Sequence, residues 1–166
     1  QDIANAMLPQ QPERELALWY QYYFQLERGR AGLAANRQEI AKILWAQWSP
    51  NWQFDEACFA RTAIAHDNPD YVDVVIHSYR HRFGLAEGDP QYADIQRRLA
   101  ALPVITVPTI TMDGAGDGVI AATDGTASAP KFAARRGHRV IPIAGHNLPQ
   151  EEPEAFVTAV MELIKA

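Results

Sequence analysis

Two segments of this 166-residue chain favour extended backbone, and both follow about a hundred residues with helical patterning. Residues 104–112 are rich in β-branched side chains, and residues 138–143 form the second predicted strand. Because Pro108 cannot donate to a strand ladder, we expect the first strand to begin there. Two strands are too few for a stable sheet covered on both faces. The other strands must come from upstream sequence, a second chain or an exchanged copy in a homo-oligomer.

Helical patterns cover most of residues 1–101. Five helices are predicted there, at about residues 12–29, 31–48, 54–66, 68–84 and 91–101. Gly29 is expected to end the first helix. A loop and a loosely helical stretch up to about Arg136 are expected to join the two strands, and an amphipathic helix over residues 151–165 follows them. The inward face of this last helix is expected to comprise Phe156, Val160, Leu163 and Ile164.

The order of these elements predicts an α/β fold, in which five helices precede a strand–helix–strand–helix unit. Two parallel strands joined by a helix form one crossover unit. We place a domain boundary near residues 100–105, with a helical region at residues 1–102 and a strand-bearing region at residues 103–166.

Composition excludes several classes of function. The net charge of −5 argues against nucleic acid as a partner, since phosphate binding requires a basic face. No apolar run approaches the roughly 20 residues that span a bilayer, and no secretory signal is present. The single cysteine, Cys58, suits a reducing compartment, so a cytoplasmic location without membrane contact is expected. The chain opens at Gln1 without a cap or targeting pattern, which predicts a segment of a longer protein.

An acid and a histidine follow the two predicted strands. The glycine-rich loop at 114–118 carries Asp117, and His146 comes directly after the second strand. Since parallel strands end at one sheet edge, Asp117 and His146 are expected to lie close together. His146 is then expected to act as a general base, with Asp117 accepting its Nδ1–H. Asp113 is an alternative acid, and His146 could instead be a loop histidine bonded to backbone.

Metal binding has weaker support. His77 and His81 lie at i, i+4 on the fourth predicted helix and could supply two ligands. No third ligand is close in sequence, and Arg80 and Arg82 indicate a solvated face instead. The glycine-rich loop also lacks the alternating oxygen ligands of a calcium loop. We therefore predict no metal and no cofactor.

Several motifs resemble those of a known superfamily. Gly114 to Asp117 together with residues 145–156 looks like the C-terminal end of an α/β-hydrolase, and the helical region looks like its cap, or lid. Within that superfamily, residues 19–25 (Trp-Tyr-Gln-Tyr-Tyr-Phe-Gln) resemble the Tyr-Gln-x-Tyr-Phe segment of epoxide hydrolase caps. Ser78-Tyr79-Arg80 resembles the second tyrosine motif of those caps. The resemblance covers nearly the whole chain.

The resemblance implies a two-step hydrolysis. An aspartate nucleophile opens the epoxide to an ester while two phenols, here Tyr20 and Tyr79, hydrogen-bond and protonate the ring oxygen. His146, oriented by Asp117, then activates the water that cleaves the ester. Trp19 and Tyr23 are expected to contact the small apolar substrate. The simpler interpretation of both phenols is that they belong to apolar core stripes.

The chain departs from the superfamily in one respect. The nucleophile of α/β-hydrolases lies on an elbow in their N-terminal half, and no Gly-x-Ser-x-Gly or equivalent aspartate elbow occurs here. The missing half of the core, from the same gene or a second chain, must supply the nucleophile, whether Asp or Ser. This chain alone is therefore predicted to be inactive.

Other functions stay open at this point. A haloalkane dehalogenase of the same superfamily is one alternative, because the Trp19 indole could hold a halide. A carboxylic-ester hydrolase is another. An alternative of a different class is a non-catalytic helical binding module whose strands pair with a partner chain.

Overall fold

The computed structural model describes residues 8–165, with the backbone alone at Arg136. Gln1, on which the prediction of a longer protein rests, lies outside these residues. The α-helices of the described part are, in order, α1 (Pro12–Ala17), α2 (Trp19–Tyr23), α3 (Glu27–Ala35), α4 (Arg37–Trp48), α5 (Glu56–Ala63), α6 (Tyr71–Arg82), α7 (Ala93–Ala100), α8 (Leu148–Glu151) and α9 (Pro153–Lys165). The strands are β1 (Thr109–Gly114) and β2 (Arg135–Ile141). None of the helices within residues 8–165 is both long and apolar enough to cross a bilayer.

The chain forms two compact units. The first comprises the described residues up to Leu44 together with Phe54–Ala100, and the second comprises Trp45–Gln53 together with the residues from Ala101 onward. The first unit is helical, and the second holds both strands. The division into domains at residues 102 and 103 stays a prediction.

Local side-chain bonds precede two helices of the first unit. The Asp55 carboxylate accepts the backbone N–H of Cys58 at 2.6 Å, so α5 begins at the next residue, Glu56. The Asn68 side chain accepts the N–H of Asp70, just before α6. The fully buried side chains at the centre of this unit are Leu33, Phe24, Phe59 and Ile76. Each contributes about 1.5–3 kcal/mol relative to an exposed side chain.

The predicted helices over residues 12–29 and 31–48 are divided differently in the structure. Leu18 leaves helical geometry between α1 and α2, and Asn36 separates α3 from α4. Gly29 does not end a helix but lies inside α3, because the chain packs there against the carbonyl of Tyr23. A Cβ at position 29 would lie 1.7 Å from that oxygen, so packing rather than helix termination requires this glycine.

The buried His66 is expected to make the free energy of unfolding depend on pH. Burial lowers the pKa of the His66 imidazole below its ordinary value, with Arg37 adding to the effect and Asp67 opposing it. Between pH about 6.5 and the lower pKa of the folded chain, the unfolded chain therefore binds a proton that the folded chain does not. The free energy of unfolding is expected to be constant with respect to this group above pH about 6.5. It is expected to fall as the pH drops below this value, by at most about 1.4 kcal/mol per pH unit.

Replacing His66 with phenylalanine tests this dependence. Chemical denaturation of His66→Phe between pH 7 and pH 5 should give a flatter stability profile than the unmodified chain. The exposed His77 provides the matched control, since His77→Phe should keep the original slope. Equal slopes in all three proteins would contradict the assignment.

The second unit contains a two-stranded parallel sheet. Thr111 pairs with His138 and Gly114 with Ile141, so both strands end at the same edge. Gly114 contacts the chain that follows β2, where a Cβ would lie 2.3 Å from the carbonyl oxygen of Ala144. This close approach brings the segments after β1 and β2 together.

The prediction of a helix between the strands is wrong. Residues 115–134, all of them described, contain only a short 3-10 turn at Ala129–Lys131. The carboxylates of Asp113, Asp117 and Asp124 accept backbone N–H groups in this segment, and such bonds compete with helix formation. Gly125 has φ of +72° and adds a further break.

The predicted inward face of the last helix is largely exposed. Phe156 is 40% and Ile164 71% exposed, Val160 is also exposed and Leu163 is half-buried, whereas Ala159 is buried. A sheet of two strands covers only a narrow strip of α9, so much of its apolar face has no cover within residues 8–165.

Candidate active site

Asp117 and His146, 29 residues apart in sequence, meet beyond the carboxyl ends of the two strands. The Asp117 Oδ2 lies 2.9 Å from the His146 Nδ1. The other carboxylate oxygen of Asp117 accepts the backbone N–H groups of Val119 and Ile120 at 2.7 and 2.9 Å. These bonds orient the carboxylate, so that a proton on Nδ1 points to Oδ2 and the Nε2 lone pair can take a proton. The Asp117 side chain is 11% exposed and that of His146 33%.

The backbone carbonyl of Trp48 joins the two segments that carry this pair. It accepts the N–H of Gly118 at 2.9 Å and the N–H of His146 at 3.2 Å. The indole of Trp48 also lies edge-on to the His146 imidazole, with ring centroids 5.3 Å apart. Trp48 is the last residue of the predicted helix over residues 31–48, and the sequence did not indicate this contact because a backbone carbonyl leaves no mark on residue type.

The loop that carries His146 is fixed by two further side chains. Glu151 accepts backbone N–H groups from Gly145 and Asn147, and the Ser49 hydroxyl donates to Glu151. In the sequence, Ser49 follows the predicted helix over residues 31–48 and Glu151 begins the one over residues 151–165, and no spacing indicates that the two residues touch.

Asp113, the alternative acid, has other partners. Its Oδ2 accepts the N–H and the hydroxyl of Thr123, both at 2.9 Å, and lies 3.8 Å from the Nε2 of His138. The His138 ring also lies within hydrogen-bond distance of the Thr111 hydroxyl and the Thr123 carbonyl. Asp113 therefore accepts hydrogen bonds within the loop after β1, and Asp117, not Asp113, contacts His146.

Tyr20 and Tyr79 lie side by side in the first unit. Their rings are 5.5 Å apart at an interplanar angle of 82°, and Phe24 lies 5.3 Å from the Tyr79 ring. Burial raises the pKa of the Tyr79 phenol well above its ordinary value, and the neighbouring Tyr20 phenol adds to the rise. Tyr79 therefore stays protonated, as a hydrogen-bond donor, throughout the neutral range.

Trp19 and Tyr23 extend this aromatic cluster. Both are half-buried, and their rings lie 5.7 Å apart. The Tyr23 hydroxyl lies against α3, where a Cβ on Gly32 would come within 1.9 Å of it. Contact of Trp19 and Tyr23 with a substrate stays a prediction.

The His77 and His81 imidazoles stack, with centroids 5.8 Å apart. The two nitrogens of His81 lie near the Ala86 carbonyl, at 3.1 Å, and the Gln96 side chain, at 3.0 Å. Within residues 8–165 no group of three or more His, Cys, Asp or Glu side chains is placed to hold a metal ion.

The chain resembles a protein of known structure, whereas the other comparisons gave no match. No protein-family model matches the chain, and no curated protein matches it. The chain is similar to the crystal structure of a putative epoxide hydrolase from Klebsiella pneumoniae subsp. pneumoniae, with 46% sequence identity and a TM-score of 0.92. The similarity covers 99% of this chain and 54% of the Klebsiella chain, so this chain spans about half the length of that protein.

Proposed function

We propose that this chain carries the phenols and the water-activating pair of an epoxide hydrolase. The observation that carries the proposal is the 2.9 Å contact between Asp117 and His146. The Tyr20–Tyr79 pair and the similarity to the Klebsiella protein support an epoxide as the substrate class.

In the first proposed step a nucleophilic carboxylate attacks an epoxide carbon. The carbon–oxygen bond of the ring breaks, and the ring oxygen takes a proton from Tyr20 or Tyr79 as it becomes a hydroxyl. Because an alkoxide is far more basic than a phenolate, this transfer is favourable even for a phenol whose pKa burial has raised. The product of this step is an ester between the carboxylate and the opened substrate.

The second proposed step hydrolyses that ester. The Nε2 of His146 takes a proton from water, and the resulting hydroxide attacks the ester carbonyl. Asp117 holds Nδ1–H and stabilises the imidazolium that forms. A diol leaves and the carboxylate is regenerated. The imidazolium releases its proton to solvent, and the phenolate left by the first step takes one back, so both groups return to their starting state.

We further propose that the partner of this chain is the missing half of a hydrolase core, from the same gene or a second chain. That half would supply the nucleophile and the additional strands. The exposed apolar side chains Phe156, Val157, Val160 and Met161 of α9 support this proposal, since further strands would cover them.

The proposal predicts that this 166-residue chain alone does not hydrolyse epoxides or esters. Activity is expected in a hybrid protein, made by replacing the matching 54% of the Klebsiella chain with this chain. Both proteins should be mixed with styrene oxide, a haloalkane and a carboxylic ester, and the diol, halide or acid measured.

The hybrid protein should convert styrene oxide, and the 166-residue chain should convert none of the three. Turnover by the isolated chain would contradict the prediction that this chain lacks the nucleophile. A folded hybrid that releases halide or acid but no diol would transfer the assignment to a dehalogenase or an ester hydrolase.

A further inference from the structure

We infer that Glu151 and Ser49 position His146 for its proposed role as a base, an inference that rests on the proposed function of His146. We call the hydrogen-bonded group of Ser49, Gly145, Asn147 and Glu151 the Glu151 clamp. Neither Glu151 nor Ser49 is proposed to touch the substrate.

The carboxylate of Glu151 holds the backbone on both sides of His146. Its Oε2 accepts the N–H of Gly145 at 2.7 Å, and its Oε1 accepts the N–H of Asn147 at 2.9 Å. These are the residues immediately before and after His146. Because an ionised carboxylate accepts with both oxygens, one side chain fixes both peptide groups with charge-assisted bonds.

Ser49 ties this carboxylate to a distant part of the sequence. Its hydroxyl donates to Oε1 of Glu151 at 2.7 Å across 102 residues, and the Ser49 residue is 1% exposed. The same hydroxyl accepts from the side-chain amide of Asn147 at 3.2 Å. Gly145 permits the approach, because a Cβ there would lie 2.6 Å from the Ser49 Cα.

The clamp and the Trp48 carbonyl act on the same short segment. Trp48, directly before Ser49, accepts the N–H of His146 and that of Gly118 in the loop of Asp117. The peptide groups of residues 145, 146 and 147 therefore each donate either to the Glu151 carboxylate or to the Trp48 carbonyl. This fixes the backbone from which the imidazole reaches Asp117.

An interaction of Glu151 with a helix dipole does not explain its hydrogen bonds to Gly145 and Asn147. An acid is favourable at the N-terminus of a helix, and Glu151 is the last residue of the short helix α8. Glu154, in contrast, lies in the first turn of α9, where an acid is favourable. Glu154 is exposed on the same stretch of chain and has the same charge, so Glu154→Gln is the matched control for Glu151→Gln.

Nuclear magnetic resonance of the 166-residue chain tests the clamp without any catalysis. Nitrogen-15 shifts of the His146 ring report which nitrogen carries the proton, and the Nδ1–H form should dominate in the unmodified chain. In Glu151→Gln the amide nitrogen cannot accept, so one backbone bond is lost and the dominance of the Nδ1–H signal should be lost with it. Glu154→Gln should keep the original signal.

Rates in the hybrid protein separate positioning from a general structural effect. Glu151→Gln should slow ester hydrolysis about tenfold to a hundredfold, as expected for a shifted base, while the rate of ester formation stays unchanged. A loss of folded protein would lower both rates together. Ser49→Ala keeps the Glu151 carboxylate and should slow ester hydrolysis about threefold. If Glu151→Gln does not fold, this variant decides whether the clamp positions His146.

Two outcomes distinguish this inference from the proposed function. If Glu151→Gln and Ser49→Ala match Glu154→Gln in both the His146 ring signal and the hydrolysis rate, the clamp does not position His146. If the unmodified hybrid protein forms no ester at all, the proposed function fails, and the ring signal alone then decides whether the clamp orients the imidazole.

Discussion

Replacing His146 with glutamine should lower steady-state hydrolysis of styrene oxide by the hybrid protein about a thousandfold. The imidazole is proposed to take a proton from water at Nε2, while Nδ1 is held 2.9 Å from the Asp117 carboxylate. Glutamine offers no group that titrates near neutral pH, so the ester would form but not be hydrolysed. The first turnover should therefore survive and the following ones should not.

The control for this change is a histidine on the exposed side of α6. His77→Gln removes an imidazole outside the proposed chemistry and should leave the rate within about twofold of the unmodified hybrid protein. Equal rates for His146→Gln and the unmodified hybrid protein, with both folded, would remove His146 from the mechanism.

The second large effect is expected at the paired phenols. Tyr20→Phe or Tyr79→Phe should each slow ester formation about a hundredfold or more, because each removes a donor to the oxygen on which charge develops. The double variant should form no detectable ester. Ester hydrolysis should be unaffected, since neither phenol has a role in the second proposed step.

Tyr22 provides a matched control for this pair. It lies in α2 between Tyr20 and Tyr23, is exposed, and donates its hydroxyl to Glu15. Tyr22→Phe should therefore form ester at the unmodified rate, measured by stopping the reaction at short times. Undiminished hydrolysis of styrene oxide in the Tyr20→Phe, Tyr79→Phe double variant would overturn the epoxide assignment and leave the ester-hydrolase alternative standing.

Features set by local chemistry were the most predictable from sequence. The start of β1 next to Pro108 follows from the properties of a single residue, and α5 and α6 lie within two of the predicted helical ranges. The rule that parallel strands end at one edge also placed Asp117 and His146 together. Their distance agrees with that expectation, and their catalytic roles remain predictions.

Features set by contacts distant in sequence could not be predicted. Gly29 was expected to end a helix, but a contact with the carbonyl of Tyr23 explains it. The Ser49–Glu151 bond joins residues 102 positions apart, with no spacing that would reveal it. The loop after β1 is rich in turn residues. Its backbone N–H groups donate to the carboxylates of Asp113 and Asp117 instead of forming the expected helix.

We assign the phenols to ester formation and the Asp117–His146 pair to ester hydrolysis. Intact-mass spectrometry of the hybrid protein, quenched after mixing with styrene oxide, tests this division of roles. His146→Gln should gain the mass of one substrate molecule and keep it, whereas the Tyr20→Phe, Tyr79→Phe double variant should gain none. Bound substrate in the tyrosine double variant, or an unmodified mass in His146→Gln throughout the reaction, would contradict the account.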